Sequence, residues 1–156
     1  MVVKNITTSI SYEKTIMEIE IILVKFGAKA IMKEYDNQTI SAISFYIEYD
    51  GQRIPFKLPM SLEKSRTVIV SAVNERKLAQ RYLSEPLRSD QARRVGWRII
   101  KDWIHSNLSL IEMNFATPIE ILFPYVYDYA EKKTIYEKFI KNKSKYIALN
   151  NNENNN

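Results

Sequence analysis

A chain of 156 residues, 46% of them hydrophobic and 12% aromatic, is about one domain's worth of sequence with enough apolar mass for a substantial core. It has no cysteine and a single histidine, which excludes disulfides, thiolate nucleophiles, cysteine-held zinc or iron–sulfur clusters and any multi-histidine metal site within one chain. The net charge of +5 is concentrated: residues 61–101 carry ten basic and four acidic side chains, while the segments on either side are neutral or slightly acidic.

The first fourteen residues contain no apolar signal-type core, and no apolar run approaches the roughly 20 residues that span a bilayer. The expectation is therefore a soluble, cytoplasmic protein with no membrane partner. No cofactor is expected, although a carboxylate-bound Mg²⁺ stays open.

In chain order, Ser9 or Ser11 can cap a first helix that runs to about Phe26. Tyr12, Ile16, Ile19, Leu23 and Phe26 recur every three or four residues as one buried face, and Gly27 supplies a left-handed stop. A β-pattern follows. Lys29–Tyr35 is a strand and Asp36-Asn37-Gln38 a turn; Ile40–Tyr49 then places Ile43, Phe45, Ile47 and Tyr49 on one face. Asp50-Gly51 between two alternating runs is a strong hairpin signal. The third strand, Gln52–Leu58, turns Ile54, Phe56 and Leu58 to one side, and Pro55, lacking an N–H, places it at a sheet edge.

Residues 61–84 combine a β-prone Thr67-Val68-Ile69-Val70 with Leu62, Ile69, Val73 and Leu78 at helical spacing. Helix is the better reading of the segment, ended by Pro86. With Ser89 or Asp90 as cap, a helix then runs to about Met113 and contains both tryptophans, Trp97 and Trp103. Its apolar arc of Ala92, Val95, Gly96, Ile99, Ile100, Trp103, Ile104, Leu110 and Ile111 is wide enough for burial on two sides, which makes it the central helix. Gly96 in its interior costs up to ~1 kcal/mol relative to alanine, a cost that a close neighbouring element would explain.

Thr117-Pro118-Ile119-Glu120 is a capping box with proline at the first helical position. The short helix it starts ends at Pro124, Tyr125, Tyr127 and Tyr129 read as a brief extended segment, and Thr134–Lys143 is a last helix with Ile135, Phe139 and Ile140 inward. The asparagine-rich 150–156 cannot bury apolar surface and reads as disordered, leaving 1–149 as the domain. The predicted architecture is α+β: a three-stranded antiparallel meander packed by the N-terminal helix and the tryptophan helix, with small C-terminal helices.

Arg94, Arg98, Lys101 and His105 form a stripe opposite the apolar arc of the tryptophan helix. It reads either as a basic ridge for phosphates or an acidic partner, or as an ordinary solvated helix face. Arg93, inside the arc and one turn before Trp97, can stack on that ring, pair with a carboxylate, or snorkel from the first turn. Asp102 and His105 lie within hydrogen-bonding reach on one helix, but Ser106 and Ser109 on that helix have the wrong geometry for a nucleophilic triad.

The order helix, three strands, helix also occurs in metal-dependent nucleases and in double-stranded-RNA-binding domains. The third strand lacks the acid two residues before Lys57 that a nuclease needs to hold Mg²⁺. About thirty residues separate that strand from Arg93-Arg94, where an RNA-binding domain would start its basic helix directly.

The pairing of MKEYDNQTISAISFYIEYDGQRIPFKLP with RRVGWRIIKDWIHSNLSLIEMNFATPIEILFPYV resembles a family of small proteins encoded by bacteriophages and other bacterial mobile elements, over roughly residues 28–127. Arg94, Trp97, Arg98, Asp102, Trp103, Pro118 and the Phe-Pro-Tyr of 123–125 carry the likeness. It implies a bacterial host cytoplasm and an accessory role, in DNA metabolism or in interference with host defence.

The resulting expectation is a non-enzymatic protein that binds nucleic acid through residues 61–101, with Arg81, Arg88, Arg94, Arg98 and Lys101 as contacts. The alternative is a protein–protein module that binds or inhibits a host bacterial protein, or assembles into a homo-oligomer through exposed tyrosines.

Overall fold

The computed structural model describes residues 2–147; the asparagine-rich end and the expected domain boundary at 149 lie outside them. The fold is α+β. Helix α1 (Tyr12–Lys25) is capped by Ser11, whose hydroxyl accepts the Lys14 amide at 3.3 Å, and Gly27 at φ +100° turns the chain into the sheet. Strands β1 (Ala28–Asp36), β2 (Thr39–Tyr49) and β3 (Gln52–Lys57) form an antiparallel meander in the order β1-β2-β3. Both hairpins close through two residues at positive φ, Asn37-Gln38 and Asp50-Gly51, the turn whose twist matches paired strands.

β3 is an edge strand, as Pro55 requires, and its outer side is met by an isolated bridge between Phe56 and Val126. One sheet face carries Ile43, Phe45, Ile47, Phe56 and Leu58 into the main core, against Ile16, Ile19, Leu23 and Phe26 of α1. Tyr49, expected on that face, is exposed instead, because it sits at the hairpin end beyond the covering helices.

The segment 61–84 is not one helix. Helix α2 (Leu62–Asn74) stops ten residues early, and a 3₁₀ turn (Gln80–Leu83) follows. Arg76 adopts φ +61°; its amide bonds to the Val73 carbonyl at 2.9 Å and that of Lys77 to the Ala72 carbonyl at 2.8 Å. This pair of reversed bonds is a Schellman stop built without glycine. Leu78 thus leaves the helix and packs with Ile69, Ala92 and Val95 in a second, smaller core.

Helix α3 (Leu87–Glu112) begins earlier than expected and is not capped by Ser89 or Asp90. Its first turn is met by the Glu85 carboxylate, which accepts the Ser89 amide at 3.2 Å. Trp97 is fully buried, whereas Trp103 is only half-buried and meets Tyr125 edge-on at 5.2 Å. Burying a tryptophan removes ~150–250 Å² of surface. At ~25 cal/mol per Å² that contributes about 4–6 kcal/mol before entropy, reduced here by the Trp97 indole N–H, which has no hydrogen-bond partner among the described residues.

Gly96 permits the close approach inferred for it: a Cβ there would stand 2.7 Å from Ser65 Oγ and 3.2 Å from Met60 Cε. A strap of N-terminal residues lies along α3 as well. Gln91 Nε2 donates to the carbonyls of Ile6 and Thr8 at 2.8 and 3.1 Å, and Asn5 Nδ2 to Asp102 Oδ2 at 2.8 Å.

After α3, the Thr117–Glu120 capping box opens α4 (Pro118–Leu122), and a 3₁₀ turn holds Phe123–Tyr125. A small hairpin of β4 (Tyr127–Asp128) and β5 (Lys133–Thr134) leads into α5 (Ile135–Lys141), which a second capping box at Thr134 and Glu137 starts, and then α6 (Lys143–Tyr146). Only part of the expected tyrosine strand is extended, since Tyr125 lies in the 3₁₀ turn, and Ile140 is exposed rather than inward.

Candidate nucleic-acid interface

The stripe on α3 is not an open ridge. Arg98, with its side chain 16% exposed, donates to Glu18 of α1 at 2.6 Å. Lys101 is 18% exposed and sits 2.9 Å from Asp102. Burial alone would raise the Asp102 carboxyl, but hydrogen bonds from Lys101 and Asn5 hold it below its ordinary range. The cause is architectural: α1 and the N-terminal strap dock on the side of α3 that an isolated helix would leave in water.

The other candidates are divided. Arg88 donates to Glu85, which also holds Arg66 at 2.6 Å. Arg81 is exposed and lies over the Tyr82 ring at 5.2 Å. Arg94, half-buried, has no carboxylate partner among the described residues. Arg93 takes the pairing route, 3.2 Å from Asp90, and does not stack on Trp97. Asp102 is bound to Lys101 and Asn5 rather than to His105, which is exposed.

No three His, Asp or Glu side chains among the described residues converge as a metal-holding group. Glu34 is engaged with Lys57 at 3.2 Å, Glu48 stands opposite Arg53 in the sheet, and Asp50 sits in the turn.

A different set of basic and aromatic side chains does converge. A cleft of about 840 Å³ opens between the end of β3, the start of α2 and the C-terminal hairpin. Lys57, Lys64 and Lys132 line it together with Tyr125, Tyr127 and Tyr136. Lys57 sits over the Tyr127 ring at 5.1 Å and is also bound to Glu34. Lys64 and Lys132 are exposed and have no carboxylate partner among the described residues. Lys64 lies in the first turn of α2, where the helix dipole adds to its positive field.

The acid in the cleft lining, Glu137, is exposed and engaged with its cap: its carboxylate accepts the Thr134 amide at 2.7 Å and the Thr134 hydroxyl at 3.2 Å. Tyr125 and Tyr127 are braced edge-on by Trp103 and Tyr129, and Tyr136 leaves over half of its surface open.

Sequence reasoning missed this cleft because its lining comes from two stretches far apart in the chain, 57–64 and 124–137, and no local pattern links them. The one pointer was the tyrosine run 125–129, which suggested a contact surface without naming its lysines. No helix among the described residues is long and apolar enough to cross a membrane. The chain matches no family model, no curated protein and no solved structure.

Proposed function

We propose that the protein binds single-stranded nucleic acid in this cleft without acting on it chemically, as an accessory protein in the phage or mobile-element setting that its sequence resemblance implies. The observation that carries the reading is the convergence of two unpaired lysines, Lys64 and Lys132, with the open ring of Tyr136 and the braced ring of Tyr125 in one cleft. Single strands are held by a positive groove that follows the phosphates and by aromatic rings that stack the bases, a combination indifferent to sequence. Arg81 and Arg94 add long-range attraction; Arg88, Arg98 and Lys101 are occupied by carboxylates and serve the fold.

The test is fluorescence anisotropy with labelled single-stranded oligonucleotides over a range of salt. Each phosphate contact contributes about −0.7 to the slope of log K against log salt, so Lys64→Glu with Lys132→Glu flattens the slope by about 1.4. Tyr136→Ala weakens binding by about 1–3 kcal/mol if one base stacks there. Absence of binding to any DNA or RNA, or full affinity in the double lysine variant, overturns the proposal.

The exposed tyrosines also suit a protein–protein contact with a host bacterial protein. A partner that survives nuclease treatment in a pull-down, lost in Tyr136→Ala but not in the lysine variant, marks that second reading.

A further inference from the structure

Strand β2 alternates, and Ile43, Phe45 and Ile47 fill the main core, so Ser44 and Tyr46 turn to the other face of the sheet. Ser44 is nevertheless buried there too, only 1% exposed, and its hydroxyl has no hydrogen-bond partner among the described residues. A buried hydroxyl left unpaired is costly, and few native side chains are left so.

Ser44 borders a cleft of about 390 Å³, at the small end of the range of sites that take one small ligand. The register explains why the sheet face is hollow here. Ala30 of β1 and Pro55 of β3 stand on either side of Tyr46, and both are too short to fill the face. Tyr129, in the β4–β5 turn, walls the cleft with a side chain 53% exposed, its ring held edge-on by Tyr127 at 4.9 Å. Met32 lies beside Ser44 on β1 and is an unbranched, 46% exposed chain that can swing off the hydroxyl.

The rim carries one cation. Arg53 is exposed, and its guanidinium lies over the Tyr46 ring at 5.0 Å. Although Glu48 stands opposite it in the register, Arg53 has no carboxylate partner among the described residues. Resting on a ring face leaves the N–H fork of the guanidinium free for two oxygens of a phosphate. This cleft adjoins the lysine–tyrosine cleft: Ser44 pairs in register with Lys57, and Tyr129 meets Tyr127, both of which line the neighbour.

We propose that the sheet-face cleft is a site for one nucleotide, whose base stacks on Tyr129 and meets the Ser44 hydroxyl with a polar edge while its phosphate is held by Arg53. Every base offers a π-face and a hydrogen-bonding edge. A purely apolar ligand would leave Ser44 unpaired and Arg53 without an anion, and a bare phosphate would leave the ring and the hydroxyl unused. A nucleotide engages all three. The same chemistry comes from a free mononucleotide or from one unit of a strand in the lysine–tyrosine cleft; only the second source rests on the strand-binding reading.

Equilibrium dialysis with ribonucleoside 5′-monophosphates, beside anisotropy with single-stranded oligonucleotides, tests the site. Arg53→Gln, Ser44→Ala and Tyr129→Ala are each expected to weaken nucleotide binding at least about fivefold with the far-UV circular dichroism unchanged. Inorganic phosphate at equal concentration does not compete. Mononucleotide binding that survives Lys64→Glu with Lys132→Glu identifies the free ligand, and it stands even if no oligonucleotide binds. If only oligonucleotides respond to the three variants, the occupant is a unit of the strand. Oligonucleotide binding that depends on the lysines but is indifferent to Arg53→Gln and Ser44→Ala overturns this site and leaves strand binding standing. Binding of neither probe, or phosphate competing as well as a nucleotide, overturns it too.

Discussion

Replacing Gly96 by alanine sets two opposed effects of similar size against each other, and the neighbour at Ser65 decides the outcome. Alanine in a helix interior is favoured over glycine by about 0.8–1.0 kcal/mol. The new Cβ would stand 2.7 Å from Ser65 Oγ, so that hydroxyl must rotate away. Rotation breaks its 2.9 Å hydrogen bond to the Ser61 carbonyl, a loss of about 1 kcal/mol. The Ser61 carbonyl stays satisfied, because it also accepts the Ser65 amide at 3.1 Å.

Gly96→Ala alone is therefore expected to leave stability nearly unchanged. In a Ser65→Ala background the nearest obstacle is gone: the Ser65 Cβ stands 3.5 Å away in ordinary contact, and Met60 Cε at 3.2 Å is the end of a flexible chain. There the same substitution stabilises by about 1 kcal/mol. Urea unfolding of the four proteins, followed by tryptophan fluorescence, gives the coupling as a double-mutant cycle. Equal stabilisation in both backgrounds would refute the close approach of α2 to α3.

Three further outcomes follow from contacts already described. The Ser89 hydroxyl, then Arg88, the Ser89 amide and Arg66, hold the Glu85 carboxyl at about 2, below its ordinary 4.5, against the opposing effect of burial. A depressed carboxyl stabilises the fold above its unfolded value and loses that contribution as pH falls. Glu85→Gln should accordingly be less stable than wild type at pH 7, with the difference fading between about pH 4.5 and 2 in chemical denaturation at each pH; a difference independent of pH would contradict it. Trp97→Ala should cost about 3–5 kcal/mol, a large share of the ~5–15 kcal/mol that holds a domain folded, and a cooperative transition shifted by under about 1 kcal/mol would remove Trp97 from the core. Thr134→Ala breaks the capping box at α5 and should lower stability by about 1 kcal/mol, or increase amide exchange across residues 135–141 if the hairpin and α5 unfold as a local unit.

The fold was legible wherever local chemistry and period agreed. Ser11 and Gly27 bracket α1, Asp50-Gly51 closes a hairpin, Thr117 and Glu120 open α4, and Pro55 marks an edge, each by a backbone preference readable within a few residues. The reading failed where tertiary contacts decide. Arg76 ends α2 in a left-handed conformation without glycine, so nothing local announced the stop. Glu85 replaces the expected cap of α3 from outside the helix.

The site was less legible for the same reason. Helical spacing placed Arg98 and Lys101 on one stripe correctly, but the carboxylates that occupy them are Glu18, eighty residues away, and an Asp102 held by Asn5. The lysines and tyrosines of the cleft come together through the Phe56–Val126 bridge and the hairpin behind it.

The N-terminal strap has a kinetic consequence. Its bonds to α3 join residues 83 to 97 positions apart, so they close some of the longest loops in the molecule. Loop closure of that length must be met before its contacts yield anything, whereas the β-hairpins and the α2–α3 pair form over short separations. The strap is therefore expected to dock late, onto a helix already assembled, which stopped-flow refolding and unfolding of Asn5 and Gln91 variants would check. Mutations at Asn5 or Gln91 will mainly accelerate unfolding and leave the refolding rate almost unchanged, and Arg98 will share that behaviour through its contact with α1.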